Sequence, residues 1–408
     1  MQKIILHIDF DSFFASVEQQ DNPLFRNRPL GVTATNGRTC IIAASREAKK
    51  YGITSPSRTP DAKRICPQII FVPAHFVRYW EISQQFVKIC HEYSPTIEVF
   101  SIDEVFMDVT DTATLFGGVT SLIQQLRKRL VHEIGHYITA SFGISHNKLL
   151  AKLASGLKKP NGVMEISQDT LWQVYASSQL TDICGIGYRI KKRLNQMGIY
   201  TPLHLRSTPL SSLIAEFGNV EGRFLKNVGL GIDESSVIPT TQESKVKSVG
   251  RQYCLPGNEY DKRKILQNIY ELCEEVAFKL RRLKKKARTV GIYLGGQQSI
   301  HGRQTYTVPF DTGKEIFEGC LLSIGNNLLG YVRQISIWTA NLENADNLPS
   351  PLFLPERKQE QLTKIIDQIN QKFGHHTIRN GFLLYADKLT TVPNGFSSDN
   401  YATNQKAS

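Results

Sequence analysis

The chain has 408 residues, 41% hydrophobic and 21% charged, an ordinary soluble composition too long for one core and expected to divide into roughly two to four domains. No stretch reaches the apolar length of a membrane helix, and the N-terminal apolar run is too short and too soon acidic for a secretory leader, so the protein is expected in the cytoplasm. A net charge of +12 points to a polyanionic partner, nucleic acid first, while seven scattered cysteines without C-x-x-C spacing read as reduced thiols rather than a disulfide frame or zinc site.

Residues 3–9 form an apolar run that ends in Asp9-Phe10-Asp11 and read as a buried strand, followed by a helix at 12–20. Residues 24–77 are basic, Pro-rich and poor in helical period, which predicts a small insertion. A helix at 78–92 carries Trp80, Phe86, Val87 and Ile89 among polar residues. Strands 97–102 and 105–109 then form a hairpin around Asp103-Glu104, and a helix at 119–134 and a strand at 137–144 follow. This β-α-β-β-α-β order predicts a ferredoxin-like layer whose inner strands set Asp9 beside Asp103 and Glu104.

Carboxylates at the ends of buried strands need a cationic partner. Either cluster alone is more readily a turn or cap, but Asp103-Glu104 has no Gly, Asn or Pro for a tight turn. Together the two clusters read as a hard-oxygen site for Mg²⁺, and hence as phosphoryl-transfer chemistry. His7 is read as alternating to the other face of its strand. A two-metal nuclease would use the same carboxylates, and a non-catalytic DNA-binding protein is the further alternative.

Beyond the turn Lys159-Pro160-Asn161-Gly162 the composition is helical and short-looped to about residue 233. Within it, Gly185-Ile186-Gly187 opens a basic helix containing Lys191. Paired glycines there offer backbone N–H groups and a positive dipole end to a phosphate, as in a helix-hairpin-helix. A polar linker spans 234–246, and a second β-α-β-β-α-β unit follows: strand 247–254, helix 262–283, strands 288–295 and 301–308, helix 314–326, strand 331–339. The first helix of this unit is read as ending in Lys279, Arg281, Arg282, Lys284, Lys285, Lys286 and Arg288. Some of these cations suit a helix C-terminus, but their density favours phosphate contacts. Past residue 342 come one more helix, at about 355–373, and a polar tail that reads as disordered.

Taken with Ile8-Asp9-Phe10-Asp11-Ser12-Phe13-Phe14, Ser101-Ile102-Asp103-Glu104, Asn147-Lys148-Leu149-Leu150-Ala151-Lys152-Leu153-Ala154-Ser155, Lys247-Ser248-Val249-Gly250-Arg251 and Ala287-Arg288-Thr289-Val290, the chain resembles the Y family of translesion DNA polymerases, most closely its bacterial DinB branch. The resemblance implies an α+β right-hand fold: a ferredoxin-like palm (1–23 and 78–166), small fingers (24–77), a helical thumb (167–233) and, after the 234–246 linker, a βαββαβ little finger (247–341), with the final helix and tail at 342–408. It implies error-tolerant DNA synthesis by a monomer acting on primer-template DNA and dNTP.

By the same resemblance Asp9, Asp103, Glu104 and the Phe10 backbone carbonyl hold two Mg²⁺ ions, with Mn²⁺ as a substitute. Phe13 and Phe14 border the nucleotide, Phe14 as a steric gate against a 2′-OH. Lys159 binds the triphosphate. With the basic run read above, the expected DNA contacts are Gly185, Gly187, Lys191, Ser248, Arg251, Lys284, Lys285, Lys286 and Arg288. Where the family carries Tyr-Glu-Ala-Arg this chain has Arg46-Glu47-Ala48-Lys49, so Arg46 and Lys49 are expected to replace the missing phosphate ligands. Pro349-Ser350-Pro351-Leu352-Phe353 stands where relatives bind the sliding clamp. It keeps the Leu-Phe plug without the glutamine, which implies a weak contact.

Overall fold

The structure, a computed structural model, describes residues 3–34, 40–240, 246–325, 327–328, 330–349, 352–374, 377–384 and 386. Part of the predicted linker, Ser350-Pro351 and the predicted disordered tail lie outside the described residues. The described residues fall in two compact units, those up to Thr240 in the first and those from Val246 in the second. No helix among them is long and apolar enough to cross a membrane.

The strands in chain order are β1 (Ile5–Phe10), β2 (Leu30–Thr33), β3 (Ile41–Ala44), β4 (Ile70–Pro73), β5 (Ile97–Val99), β6 (Glu104–Asp108), β7 (Ala140–Ser145), β8 (Val163–Glu165), β9 (Ser248–Glu259), β10 (Lys285–Gly296), β11 (Ile300–Phe310) and β12 (Val332–Asn344). The main sheet of the first unit runs β5-β6-β1-β7-β8. Its first four members have the predicted ferredoxin-like order, with β1 and β6 innermost. Leu6, Ile8 and Phe10 point from β1 into a core closed by helices Phe76–His91 and Val119–Glu133, through Phe86, Ile89, Leu122, Leu126 and Leu130. Those leucines recur every fourth residue, the spacing that gives a helix one apolar stripe. The opposite face of β1 packs Ile5 with Phe106, Ala151 and Val237. Burial on both sides explains the nearly continuous apolar run in the sequence.

Three details differ from expectation. The insertion at 24–77, read as poor in helical period, carries two short helices, Arg46–Lys49 and Thr59–Ile65, beside a sheet of its own, β3-β2-β4. Strands of four residues are too short to show a period. The hairpin's first strand stops at Val99, because the Phe100 and Ser101 amides both donate to Glu104 O and turn the chain there. The linker is not free along its first half: Val237 is buried, the Ile238 amide donates to Glu98 Oε2 at 2.8 Å, and the Thr240 amide donates to Ile97 O at 2.9 Å.

Residues 171–230 form the expected helical layer around its own core, to which helix Lys148–Leu157 contributes Leu149, Leu150, Leu153 and Ala154. In the second unit every predicted element is present, and the sheet runs β11-β10-β12-β9. Here the second and fourth strands are innermost, so the repeated element order does not repeat the topology. Helix Lys262–Arg282 ends before the rest of the basic run: Lys284 turns the chain with φ 52°, and Lys285, Lys286 and Arg288 lie in β10.

Candidate active site

β1 and β6 are antiparallel with Asp9 opposite Glu104 and His7 opposite Phe106, and β7 pairs on the other side with Gly143 opposite His7. Side chains two apart on a strand share a face, so Ile5, His7 and Asp9 project together. The expectation that His7 faces away from the carboxylates is therefore corrected. Helix Lys148–Leu157 lies over this face, capped by the Asn147 side chain accepting the Leu150 amide at 2.9 Å. It comes so close that a Cβ on Gly143 would stand 1.9 Å from Ala151 O and 2.4 Å from Ser155 N. Only glycine allows this crossing.

The helix presents Lys148, Lys152 and Ser155 to the sheet. Lys148 Nζ pairs with Glu98 Oε2 at 2.7 Å, Lys152 Nζ pairs with Glu104, and Ser155 Oγ lies 2.7 Å from His7 Nδ1. His7 Nε2 is 3.2 Å from Glu104 Oε2. Ligand atoms of His7, Asp9 and Glu104 all come within 4.8 Å of one another. Asp103 joins from the hairpin turn, its backbone carbonyl accepting the Phe10 amide at 3.0 Å and its carboxylate taking the Ser101 hydroxyl.

The electrostatics distinguish these acids. Burial pushes the Asp103 carboxyl up to about 6, with Asp9 and Glu104 adding repulsion against the Ser101 hydrogen bond. Burial opposes ionisation of Glu104 too, but His7 and Lys152 outweigh it and bring its pKa down to about 2. Burial lowers the pKa of His7. Asp9 is paired with Lys159. The donor set of hard carboxylate oxygens around a concentrated negative charge fits a divalent cation.

Asp11 lies just past the strand, before Ser12 in a left-handed conformation with φ 52°. It accepts hydrogen bonds from Thr139 Oγ1 at 2.6 Å, Ser141 Oγ at 2.8 Å and the Asn161 amide at 2.7 Å. This fixes the Lys159–Gly162 turn beside Asp9. Arg46 bonds Thr139 and stands 3.8 Å from Asp11 Oδ2. Burial and then the nearby Lys159 cation lower the pKa of Lys49, which is also within electrostatic range of Asp9 and Asp11. Arg46, Lys49 and Lys159 thus converge on one edge of the carboxylates.

Phe13 and Phe14 are both buried in the core. Phe14 stacks on Tyr79 with centroids 4.2 Å apart and planes at 11°. Tyr79 in turn bonds Glu18, which also takes His75 Nδ1 at 2.9 Å.

The expected DNA contacts are dispersed. Gly185 has φ +96° and would meet Phe224 if it carried a Cβ, and Gly187 caps helix Tyr188–Gln196. Lys191 Nζ donates to Gln179 Oε1 at 3.2 Å. Ser248 is exposed at the start of β9, while Arg251 Nε donates to Glu275 at 2.5 Å. Much of the basic run is engaged within its own unit. Arg281 holds Asp367 at 2.6 Å, Lys286 holds Glu360 at 2.9 Å, Arg288 pairs with Glu343 and Lys285 bonds Asn344. Lys284 is 74% exposed, 3.4 Å from an equally open Asp346.

Sequence reading missed Lys152, Thr139, Ser141 and Tyr79. Lys152 was within reach, because Lys148, Lys152 and Ser155 recur at helical spacing on one face. The others depend on pairings across the sheet that no local pattern displays.

Residues 8–156 match the impB/mucB/samB family and residues 246–352 match its C-terminal domain. The DNA polymerase IV of Desulfatibacillum aliphaticivorans is 31% identical over 392 residues, covering 94% of this chain and 97% of that protein. The DNA polymerase IV of Staphylococcus aureus (strain JH9) is 35% identical over 353 residues, covering 85% and 97%. A solved Y-family DNA polymerase chimera of Dbh and Dpo4 shares the fold, with a TM-score of 0.72 at 24% identity over 83% of this chain and 99% of that one. The family matches and the curated relatives, with the shared fold, define a right-hand polymerase. The chain belongs to the impB/mucB/samB family, the Y-family DNA polymerases, which are metal-dependent, DNA-directed translesion enzymes.

Proposed function

We propose that this chain adds dNTPs to a primer 3′-hydroxyl opposite damaged template, with Asp9, Asp103, Glu104 and the Phe10 carbonyl holding two Mg²⁺ ions. The observation that carries this is the direct pairing of Asp9 with Glu104 on adjacent strands, with Asp103 at the next turn. Ions held there supply activation of the hydroxyl nucleophile and stabilisation of charge on the phosphates. Mn²⁺, an oxygen-loving ion of the same charge, is a substitute.

The remaining roles belong to the chain. Lys159, which pairs with Asp9, is placed to bind the triphosphate. Arg46 and Lys49 flank the same phosphates, and Asp11 holds their loop in register. Phe13 and Phe14 floor the sugar, Phe14 excluding a 2′-OH. In this reading 1–23 with 78–166 is the palm, 24–77 the fingers, 167–233 the thumb and 247–341 the little finger. Gly185, Gly187, Lys191, Ser248, Arg251, Lys284, Lys285, Lys286 and Arg288 are the DNA contacts. The enzyme works as a cytoplasmic monomer.

Primer extension with Mg²⁺ and dNTPs separates this from its rivals: lengthening supports a polymerase, shortening a nuclease, and neither a binding protein. Asp103→Ala and Glu104→Ala should abolish extension and leave DNA binding nearly intact, and extension by either would sink the metal assignment. Leu352 and Phe353, 79% and 64% exposed, are proposed to make a weak sliding-clamp contact. Clamp stimulation of the wild type, absent in Leu352→Ala/Phe353→Ala, is its test.

A further inference from the structure

The proposed chemistry gives His7 no task, yet its ring is fully buried beside the acids. Nε2 faces Glu104 Oε2 at 3.2 Å without a regular hydrogen bond, and among the described residues nothing else partners it. An unpaired buried nitrogen is costly, and the ring has nowhere else to turn. Phe106 packs on it at 4.5 Å, Gly143 opposes it in β7, and helix Lys148–Leu157 crosses that glycine.

A neutral imidazole has one N–H to place. On Nδ1 it donates to Ser155, and the bare Nε2 lone pair then confronts a carboxylate oxygen. On Nε2 it donates to Glu104, while Nδ1 accepts from the Ser155 hydroxyl 2.7 Å away. Only the second arrangement satisfies all three side chains. The alternative acceptor for Ser155 Oγ is Lys152 O at 2.9 Å, a carbonyl inside the helix, so little is lost when the hydroxyl turns to His7.

We propose that His7 is a positioning residue for the metal-binding carboxylate: its Nε2–H donates to Glu104 Oε2, aiming Oε1 at the cation, and Ser155 fixes the tautomer. The proposal rests on the two-metal reading above. Lys152 shares Glu104 but brings charge on a flexible stem, whereas a packed ring brings direction. In metal-free sites such hydrogen bonds are often oblique and tighten on loading. Outer-shell partners of this kind commonly change cation affinity by about 10–100-fold.

The test uses the full chain and its variants His7→Phe, His7→Gln and Ser155→Ala, with Mn²⁺ titrated by electron paramagnetic resonance and the ring tautomer read by ¹⁵N NMR. The wild type should show Nε2–H. His7→Phe keeps a buried aromatic ring and should bind Mn²⁺ about tenfold more weakly, its KM for Mg²⁺ rising more than its kcat falls. His7→Gln, with an amide N–H at the same end, should recover most of the affinity, and Ser155→Ala should mix the tautomers. An Nδ1–H tautomer in the wild type overturns the proposal, as does unchanged Mn²⁺ affinity in His7→Phe. Should His7→Phe fail to fold, the wild-type tautomer and its response to Ser155→Ala decide. Failure of the wild type to bind Mn²⁺ at all overturns the two-metal reading beneath it.

Discussion

Asp9 and Glu104 face each other directly across β1 and β6, and each is answered by a lysine of the segment that follows β7, Lys159 for the first and Lys152 for the second. Like charges opposite one another destabilise a sheet. The two ammonium groups offset that repulsion without filling the site with rigid structure, so a cation need only displace flexible side chains.

Burial, with repulsion from Asp9 and Glu104, raises the Asp103 carboxyl to about 6 against the Ser101 hydrogen bond and the nearby Lys159 cation. Because the folded value exceeds the ordinary 3.8, ionising this carboxyl penalises the metal-free fold above pH 6. The penalty fades as pH falls through 6 and is gone below 4. Asp103→Asn should therefore stabilise the metal-free enzyme at pH 8, by on the order of 2 kcal/mol, with no gain near pH 3.5, while extension is lost. Thermal or urea unfolding in EDTA at both pH values measures it, and equal gains at both would refute the electrostatic account.

Phe14 is part of the core as well as the proposed gate, so its removal has two effects. Phe14→Ala should cost about 3–5 kcal/mol of stability through loss of the ring stacked on Tyr79. It should also raise ribonucleotide incorporation relative to dNTP use. Phe14→Val retains more packing and should relax sugar selection with less damage to the fold. Parallel single-nucleotide incorporation assays check this, and an unaltered ratio in both variants returns Phe14 to a purely structural role.

Arg46 is half-buried 3.8 Å from Asp11 Oδ2, and Lys49, although exposed, lies within electrostatic range of Lys159, Asp11 and Asp9. Replacing both with Ala should raise the KM for dNTP by about tenfold or more, since each contact to a phosphate is a charge-assisted bond. DNA affinity should change by much less. Steady-state kinetics beside fluorescence anisotropy distinguishes the two, and equal effects would assign the helix another use.

The basic run separates by partner. Lys284→Ala should flatten the salt dependence of primer-template binding by about one unit of slope. Lys286→Ala should lower the slope and also loosen helix Leu354–Phe373, whose Glu360 it holds, at a cost of on the order of 1 kcal/mol. Salt titrations and hydrogen exchange over that helix give the two readings. A slope unchanged by Lys284→Ala means that this cation only meets solvent.

The long apolar runs made β1, β6 and β7 readable in the sequence, and with them the meeting of Asp9 and Glu104, because a strand buried on both faces has little freedom in where it goes. The basic helix-ending run was read one element too far: charge density shows a cluster, but the turn at Lys284 is a single backbone torsion. The β3-β2-β4 sheet escaped notice because its strands are so short. Strand order in the second unit depends on which edges meet after collapse, and the same string of elements folds two ways in one chain. The Asp11 network ties Thr139, Ser141 and Asn161 to a residue about 130–150 positions earlier, a proximity that only tertiary pairing creates.

Helix Lys148–Leu157 belongs to two cores at once, with Leu149, Leu150, Leu153 and Ala154 in the helical layer and Ala151 against the sheet. Its tolerance is set by Gly143, which leaves no gap between helix and backbone. A displacement of the helical layer is therefore felt as a displacement of Lys152 and Ser155, the groups that touch Glu104 and His7. On the proposed reading, in which the helical layer grips DNA, the link from grip to chemistry is about one helix long and turns on a glycine.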